Sequence, residues 1–419
     1  MKKKLVLIES EMILAAGHFL DYLFETSNYF KDKKDIYWFL NKKFKFNKII
    51  PPKYSNIKKI IQSNTFNRKQ NKFFYLIEEV FFFFKNYFDI LFFIFFFIKD
   101  KKKLFSFFKC LCGNTFFIPR YFKSFYLEYL KLNLNSDDDI IFQSCRRKDI
   151  ALVYFLYNIE KKTIPRIHLR IFFIPTIRYK DFYFYFKKIK DVIHNKIFLY
   201  TEDGVKKNIL ANELGSDNFI NTTKPIFSFY KRKPNIKFHT IGFVGEARSN
   251  KGFNRIPDFI KAIQKNENNF KFLIHFSNLD RDTVKTAKVL EDLSLKYNNI
   301  EIVNKYCDYN EYRKILEKIT IMPFLYDLDQ IKIGSGILYS CLSYEIVPII
   351  PKNCNYLEEV MTHKSIIEAE NFDDFVKITK NIEIDYMKYL SFTKETSIKL
   401  HQSIKADLLV KNINRVDYI

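Results

Sequence analysis

From Asp137 onward, short apolar runs alternate with stretches in which apolar residues recur every three or four positions. The runs read as buried strands: Asp137-Asp-Asp-Ile140-Ile-Phe-Gln-Ser144, Ile164 to Pro175, Lys196 to Thr201, His239-Thr-Ile-Gly-Phe-Val-Gly245, Phe270 to Phe276, Ile300 to Val303, Ile319 to Leu325 and Val347-Pro-Ile-Ile350. The intervening stretches read as helices at Asp149 to Ile159, Phe182 to Ile193, Phe253 to Ile263 and Tyr339 to Tyr344, Tyr306 to Glu317 starts as a loop and becomes helical, and the tail from Asp385 to Val416 is mostly amphipathic helix. Such alternation predicts parallel sheets flanked by helices. Met1-Lys-Lys-Lys-Leu-Val-Leu-Ile-Glu9 has the pattern of a first buried strand, and its apolar part is too short for a secretory signal. A loop from Ser10 and a helix opening at Gly17-His18 follow.

Residues 29–131 break this rhythm, with lysines between aromatic runs. The densest part, Val80 to Ile98, approaches the ~20 apolar residues that a membrane-spanning helix needs. It carries Lys85 and Asp89, four apart and able to pair along a helix. Each charge costs roughly 2.5–3.5 kcal/mol at a bilayer centre, which disfavours spanning. Two readings remain. One is an interfacial helix with its aromatic face in lipid and Lys99 to Lys103 toward anionic headgroups. The other is a buried helix pair inside an enlarged first domain.

A length of 419 residues suits two Rossmann-like halves, and 47% apolar content supplies their cores. Seventy Lys and Arg against 47 Asp and Glu leave a net charge of +23. That excess attracts anionic surfaces or nucleic acid. AT-rich codons for Lys, Asn, Ile, Phe and Tyr are an equally good source of it, and the basic residues match no nucleic-acid motif, so no specific nucleic-acid partner is expected. The six cysteines show neither CxxC nor zinc-site spacing. The expectation is a reduced cytoplasmic protein, peripheral on the inner face of a membrane, with no cofactor and no bound metal.

Two turns carry the chemistry. Gly245-Glu-Ala-Arg248-Ser-Asn-Lys251-Gly252 joins an apolar strand to an amphipathic helix. Backbone N–H groups at such a turn, the positive end of the helix and two cations suit a diphosphate. Gly334-Ser335-Gly336 opens a second helix after the Ile319–Leu325 run and is a second anion site of the same kind. A lone glycine-rich turn is common on surfaces; two at one end of one domain are able to grip a nucleotide-sugar from both sides.

At these residues the chain resembles glycosyltransferases of the two-domain GT-B fold, and most nearly the retaining family 4, or group 1, enzymes. The resemblance rests on Gly245 to Gly252, Pro323, Ser335-Gly336-Ile337 and Glu345-Ile-Val-Pro348-Ile-Ile, and runs from about Phe238 to Ile350. It implies an α/β protein with two Rossmann-like domains facing each other across a cleft. Residues 1–230 form the acceptor domain, with an aromatic and basic insertion around 65–131. Residues 231–385 form the donor domain, and 386–419 return a helix to the first. It further implies that Gly245, Arg248, Lys251, Ser335, Gly336 and Ile337 hold the donor diphosphate, and that Tyr306 and Ser340 lie by the nucleoside. Gly17 and His18 face the acceptor, and His168 lies by the donor sugar, with His18, His168, Arg248 and Lys251 as the catalytic set. A histidine on a strand is also a common satisfied core residue. Two family glutamates are missing, since Lys332 and Ser340 stand in their places, and Glu345 replaces a helix-ending glycine.

The implied function is metal-independent sugar transfer from a nucleotide-sugar to a glycan or lipid-linked acceptor, in cell-envelope polysaccharide synthesis. A catalytically inactive sugar-nucleotide or membrane-surface binding protein is the alternative. Metal-dependent GT-A chemistry would need an Asp-x-Asp pair. Asp137-Asp-Asp139 precedes its strand, whereas Asp327-Leu-Asp329 follows one.

Overall fold

In a computed structural model of the chain, the residues described are 2–9, 18–41, 55–60, 87–111, 119–160, 163–171, 196–201, 204–214, 220–222, 230, 239–264, 270–307, 309–326, 336–352, 367–405 and 407–414. The chain divides into two compact units. The first comprises Met1–Leu14, Thr26–Thr223 and Asn412–Ile419, and the second Ala15–Glu25 and Lys224–Lys411.

Among the described residues, the first unit holds a seven-stranded sheet. Its strands are β1 (Lys3–Glu9), β2 (Lys34–Asn41), β3 (Ser55–Ile60), β4 (Asp139–Phe142), β5 (Arg166–Arg170), β6 (Ile197–Thr201) and β7 (Ile220–Thr222). They lie in the order β3-β2-β1-β4-β5-β6-β7, each parallel to its neighbours. The second unit has six parallel strands: β8 (His239–Ala247), β9 (Phe270–Leu279), β10 (Ile300–Asn304), β11 (Ile321–Pro323), β12 (Val347–Pro351) and β13 (Ile367–Ala369). Their order is β10-β9-β8-β11-β12-β13. Both sheets start in the middle, wind to one edge, return across the first strand and wind to the other. This is the doubly wound order, and its ligand crevice lies beyond the carboxyl ends of the strands where the direction reverses. In the second unit that point is between β8 and β11.

Strands buried on both faces need no polar alternation, which explains the unbroken Leu5-Val6-Leu7-Ile8 run of β1, at most 2% exposed. The same burial hid β2 from the sequence pattern. Ile36, Trp38, Phe39 and Leu40 are buried in a strand within the region that broke the α/β rhythm. Trp38, the single tryptophan, donates from Nε1 to Ser27 Oγ at 2.8 Å. The helix expected at Phe182 to Ile193 and Lys85 lie outside the described residues. Asp89 does have a cation, Lys123 at 2.8 Å, reached from the helix Pro119–Leu132.

The tail differs from expectation. The helix Tyr386–Lys405 stays with the second unit, where Ser397 Oγ donates to the Leu342 carbonyl at 2.8 Å. Return to the first unit comes only at Asn412, whose Nδ2 donates to Tyr200 Oη at 2.9 Å. Tyr230, expected at the end of the first domain, belongs to the second unit. It stacks on Tyr344 with centroids 4.3 Å apart, and its N–H donates to the Ser343 carbonyl.

Candidate functional site

The strand β8 does not stop at Gly245 but runs on to Ala247, with its register against β9 shifted between the two. Gly245 (φ +127°) and Gly252 (φ +75°) adopt backbone that side chains resist. Close approach demands glycine as well. A Cβ on Gly252 would lie 1.9 Å from the Leu325 carbonyl oxygen, and one on Gly245 2.9 Å from Ile337 Cδ1. These glycines let the turn after β8 rest against the segment after β11 and against the first turn of the helix Gly336–Ser343. The turn after β8 thus meets the start of the helix that the second glycine-rich turn was expected to open.

A cavity opens where they meet, at the carboxyl ends of β8, β9 and β11, and its lining includes Gly245, Glu246, Lys251, His275, Tyr326 and Ile337. Among the described residues the Lys251 ammonium makes no hydrogen bond or close ion pair. Burial, and then the charge of Arg248, pull it below the ordinary lysine value, while Glu246 opposes them. An ammonium in this state gains from any anion entering the cavity. The helix Gly336–Ser343 carries no acidic residue in its first turn to occupy its positive end.

Two features depart from the expected anion site. The amides of Lys251, Gly252 and Phe253 are spent inside the turn, on the carbonyls of Arg248, Ser249 and Arg248 respectively, so they do not face a ligand. Arg248 is exposed and ion-paired with Glu246. Lys251 and the start of the second helix are therefore the positive groups presented to the cavity. Gly334 and Ser335 lie outside the described residues.

His275, in the apolar strand Phe270–Leu279, was missed by sequence reasoning, although it is the one polar side chain in the run Phe272-Leu-Ile-His275-Phe. It is 6% exposed and lines the cavity. Its Nε2 faces the Lys305 carbonyl at 3.1 Å and so carries the proton, leaving Nδ1 a buried acceptor without a partner. Burial lowers its pKa, which keeps the ring neutral. Tyr306, next to Lys305, hydrogen-bonds Asn278 at the end of β9, so it does stand at the carboxyl edge of this sheet. Ser340 turns its hydroxyl back onto the Gly336 carbonyl at 3.3 Å.

No family model matches the chain, and no curated protein matches it. Solved structures do. HepE of Anabaena, in complex with UDP and glucose, aligns with a TM-score of 0.57 at 8% identity, covering 98% of this chain and 97% of that one. A glycosyltransferase from Rickettsia africae aligns with a TM-score of 0.55 at 11% identity, over 99% of this chain and 100% of the other. WaaG, a glycosyltransferase involved in lipopolysaccharide biosynthesis, gives 0.55 at 8% identity, over 98% and 97%. The chain has the GT-B fold.

Within the GT-B frame, the remaining expected residues fall as follows. Gly17 and the side chain of His18 lie outside the described residues, and their segment, Ala15–Glu25, groups with the second unit rather than the first. Lys332 and Asp327-Leu-Asp329 also lie outside. Glu345, standing where the family has glycine, keeps a left-handed backbone (φ +52°).

His168 does not line the cavity described above. It is 0% exposed, with Nε2 3.0 Å from Asp139 Oδ1 and Nδ1 3.1 Å from Tyr200 Oη. Asp139 also takes Lys34 at 2.9 Å and a two-pronged Arg166 at 2.9 and 3.0 Å. With Asn412 donating to Tyr200, the protons run one way, from Asn412 to Tyr200 to His168 to Asp139. Burial lowers the His168 pKa, although Asp139 pulls the other way, so a neutral ring fits this chain of donors. Asp139 begins β4 and therefore sits at the amino end of the sheet, opposite the ligand end. Its cluster fixes the sheet and the chain terminus. Here His168 is a satisfied core residue, which departs from the catalytic expectation for it, and Asp139 has three partners, Lys34, Arg166 and His168.

Proposed function

We propose that this GT-B protein is a retaining, metal-independent glycosyltransferase that moves a sugar from a nucleotide-sugar to a glycan or lipid-linked acceptor of the cell envelope. The observation that carries the reading is the cavity at the β8/β11 reversal, where the Lys251 ammonium, unpartnered among the described residues, and the start of the helix Gly336–Ser343 come together. Departure of the nucleotide builds negative charge on the diphosphate. Lys251 and the helix N–H groups stabilise that charge from fixed positions, the role that a metal has in other transferases. Arg248 joins them by exchanging Glu246 for a phosphate oxygen. Tyr306 and the Nδ1 acceptor of His275 contact the nucleoside at the edge of β9 and β10. The nucleotide is a uridine diphosphate, in line with the UDP bound to HepE, and WaaG's place in lipopolysaccharide biosynthesis supports an envelope acceptor. Retention of configuration rests on the family resemblance of the two turns.

The test is a panel of nucleotide-sugars assayed for thermal stabilisation and then for donor hydrolysis or transfer, with and without EDTA. At 100 times Kd, a bound donor adds roughly 2.7 kcal/mol of stability. Stabilisation by UDP-sugars with EDTA-insensitive turnover is expected, and EDTA-sensitive turnover would overturn the metal-independent part. The second reading, an inactive sugar-nucleotide binding protein, is favoured by Ser340, whose hydroxyl is bonded within its own helix where the family has a carboxylate. Donor binding with neither hydrolysis nor transfer would select it.

A further inference from the structure

Two helical segments of the first unit, residues 87–97 and Lys101–Leu111, are aromatic on both sides. Their inner side is core. Phe93, Phe97 and Phe107 are buried against Tyr126 and Phe155, with the Phe93–Phe107 centroids 4.9 Å apart and Phe93–Phe155 5.5 Å apart. Their outer side is not covered. Phe88 (67%), Phe95 (69%) and Phe105 (72%) stand in solvent, joined by Tyr87, Ile98 and Phe108. Positions 88 and 95 share one helix face, as do 101, 105 and 108. An uncovered aromatic face of this kind marks a contact with another phase or molecule.

The charges around it point to one occupant. Lys99, Lys101 and Lys102 are exposed at the junction of the two segments, and their side chains pair with no carboxylate among the described residues. Lys103 does, with Glu160 at 2.6 Å. Three lysines open the helix Lys101–Leu111, where the backbone dipole disfavours cations. Asp100 offsets them in part, accepting the Lys102 and Lys103 amides at 3.1 and 3.0 Å, and Glu160 does so for the Lys103 ammonium. Helix stability does not account for this arrangement; an anionic surface outside does. A second copy of the chain is disfavoured, because a two-fold interface brings the same patch onto itself and would set lysine against lysine in a protein of net charge +23. No helix among the described residues is long and apolar enough to cross a membrane, and the helical run breaks at residues 98–100.

We propose that this face docks on an anionic lipid bilayer, with Phe88, Phe95 and Phe105 entering the acyl boundary and Lys99, Lys101 and Lys102 meeting the headgroups. The inference stands apart from the sugar-transfer reading and does not depend on it.

The full chain is sedimented with sucrose-loaded vesicles of phosphatidylcholine alone or with 30% phosphatidylglycerol. Binding to the anionic vesicles is expected, falling as salt rises. The exchange Lys99→Gln/Lys101→Gln/Lys102→Gln should cut partitioning on the anionic vesicles about 100-fold, at roughly fivefold per lysine. Phe88→Ser/Phe95→Ser/Phe105→Ser should cut it by at least about 10-fold. Both triple variants change exposed positions, so unchanged melting temperature and unchanged UDP binding are expected of them. Lys251→Met should leave vesicle binding untouched, which separates failure of this proposal from failure of the donor site. No vesicle binding by the wild type, or equal binding by the Phe variant, overturns the proposal. So does a concentration-dependent dimer that the Phe variant abolishes, since that assigns the face to self-association.

Discussion

Replacing Lys251 by Met keeps a stem of similar length and removes only the charge. The ammonium is partly desolvated, repelled by Arg248 and without a hydrogen bond among the described residues. Its loss should leave the fold intact, within about 0.5 kcal/mol of the parent. With a diphosphate in the cavity the balance reverses. A hydrogen bond between charged groups contributes about 1.5–3 kcal/mol, so UDP affinity should fall about 10- to 150-fold. Transfer should fall further, by ~10²–10³-fold, because the leaving group carries more charge in the transition state. Titration calorimetry with UDP measures the first, and a single-turnover assay with the donor measures the second.

The pH dependence checks the same group. A lysine with a depressed pKa holds its proton only below that pKa, so wild-type UDP affinity should decline with rising pH before the ordinary lysine value of 10.5 is reached. The bound diphosphate raises the pKa, so binding takes up protons in that range. Lys251→Met should lack this decline. UDP affinity in the variant within twofold of wild type, with the melting temperature unchanged, would refute the assignment of the cavity to a diphosphate.

Gly252→Ala forces a left-handed alanine against the Leu325 carbonyl, and urea titration should show a loss of at least about 1–3 kcal/mol, whereas Gly204→Ala, with open space around it, should be tolerated. Glu246→Gln releases Arg248 from an exposed pair, and calorimetry should find UDP binding tightened a few-fold, consistent with the ~0.2–1 kcal/mol of such pairs. His168 has a folded-state pKa below 6.5, so the unfolded chain binds the extra proton and stability is lost as pH falls below 6.5, by at most about 1.4 kcal/mol per unit for this group. Urea titrations at pH 8 and pH 5, followed through Trp38, should show that loss. His168→Gln should be less stable at pH 8 but shallower in its pH slope, with a residual slope from His275, which shifts the same way. Asp139 has its own pKa held below 3.8, against the upward push of burial, by His168, Lys34 and Arg166, so its contribution is lost only at still lower pH. Glu345→Gly removes a left-handed side-chain-bearing residue and gives up a 3.6 Å pair with Lys394; a gain of up to about 1 kcal/mol is expected in the same titration.

The sequence by itself determined the second unit's alternation and its strand–turn–helix from His239 to Gln264. Apolar periodicity and glycine spacing are local properties, and they survive whatever the rest of the chain does. It also marked the outer and inner aromatics of residues 87–108 without telling them apart, because phenylalanine that packs on Tyr126 and phenylalanine that meets solvent look alike in one dimension. For the same reason β2 was hidden, since Ile36 to Leu40 is an apolar run that fits a buried helix as well as a strand. Only the tertiary structure decided the fate of His168. Its partners Asp139, Tyr200 and, through them, Lys34, Arg166 and Asn412 come from five separate places in the chain, and their joint burial gives this histidine the surroundings of a core residue. The same holds for the cavity. That Lys251 and Ile337 share it follows from two glycines allowing backbone segments 73 residues apart to touch, as Gly252 does with Leu325. Contact at that separation is set by the doubly wound sheet, which puts β8 beside β11, so that the segments leaving their carboxyl ends are neighbours.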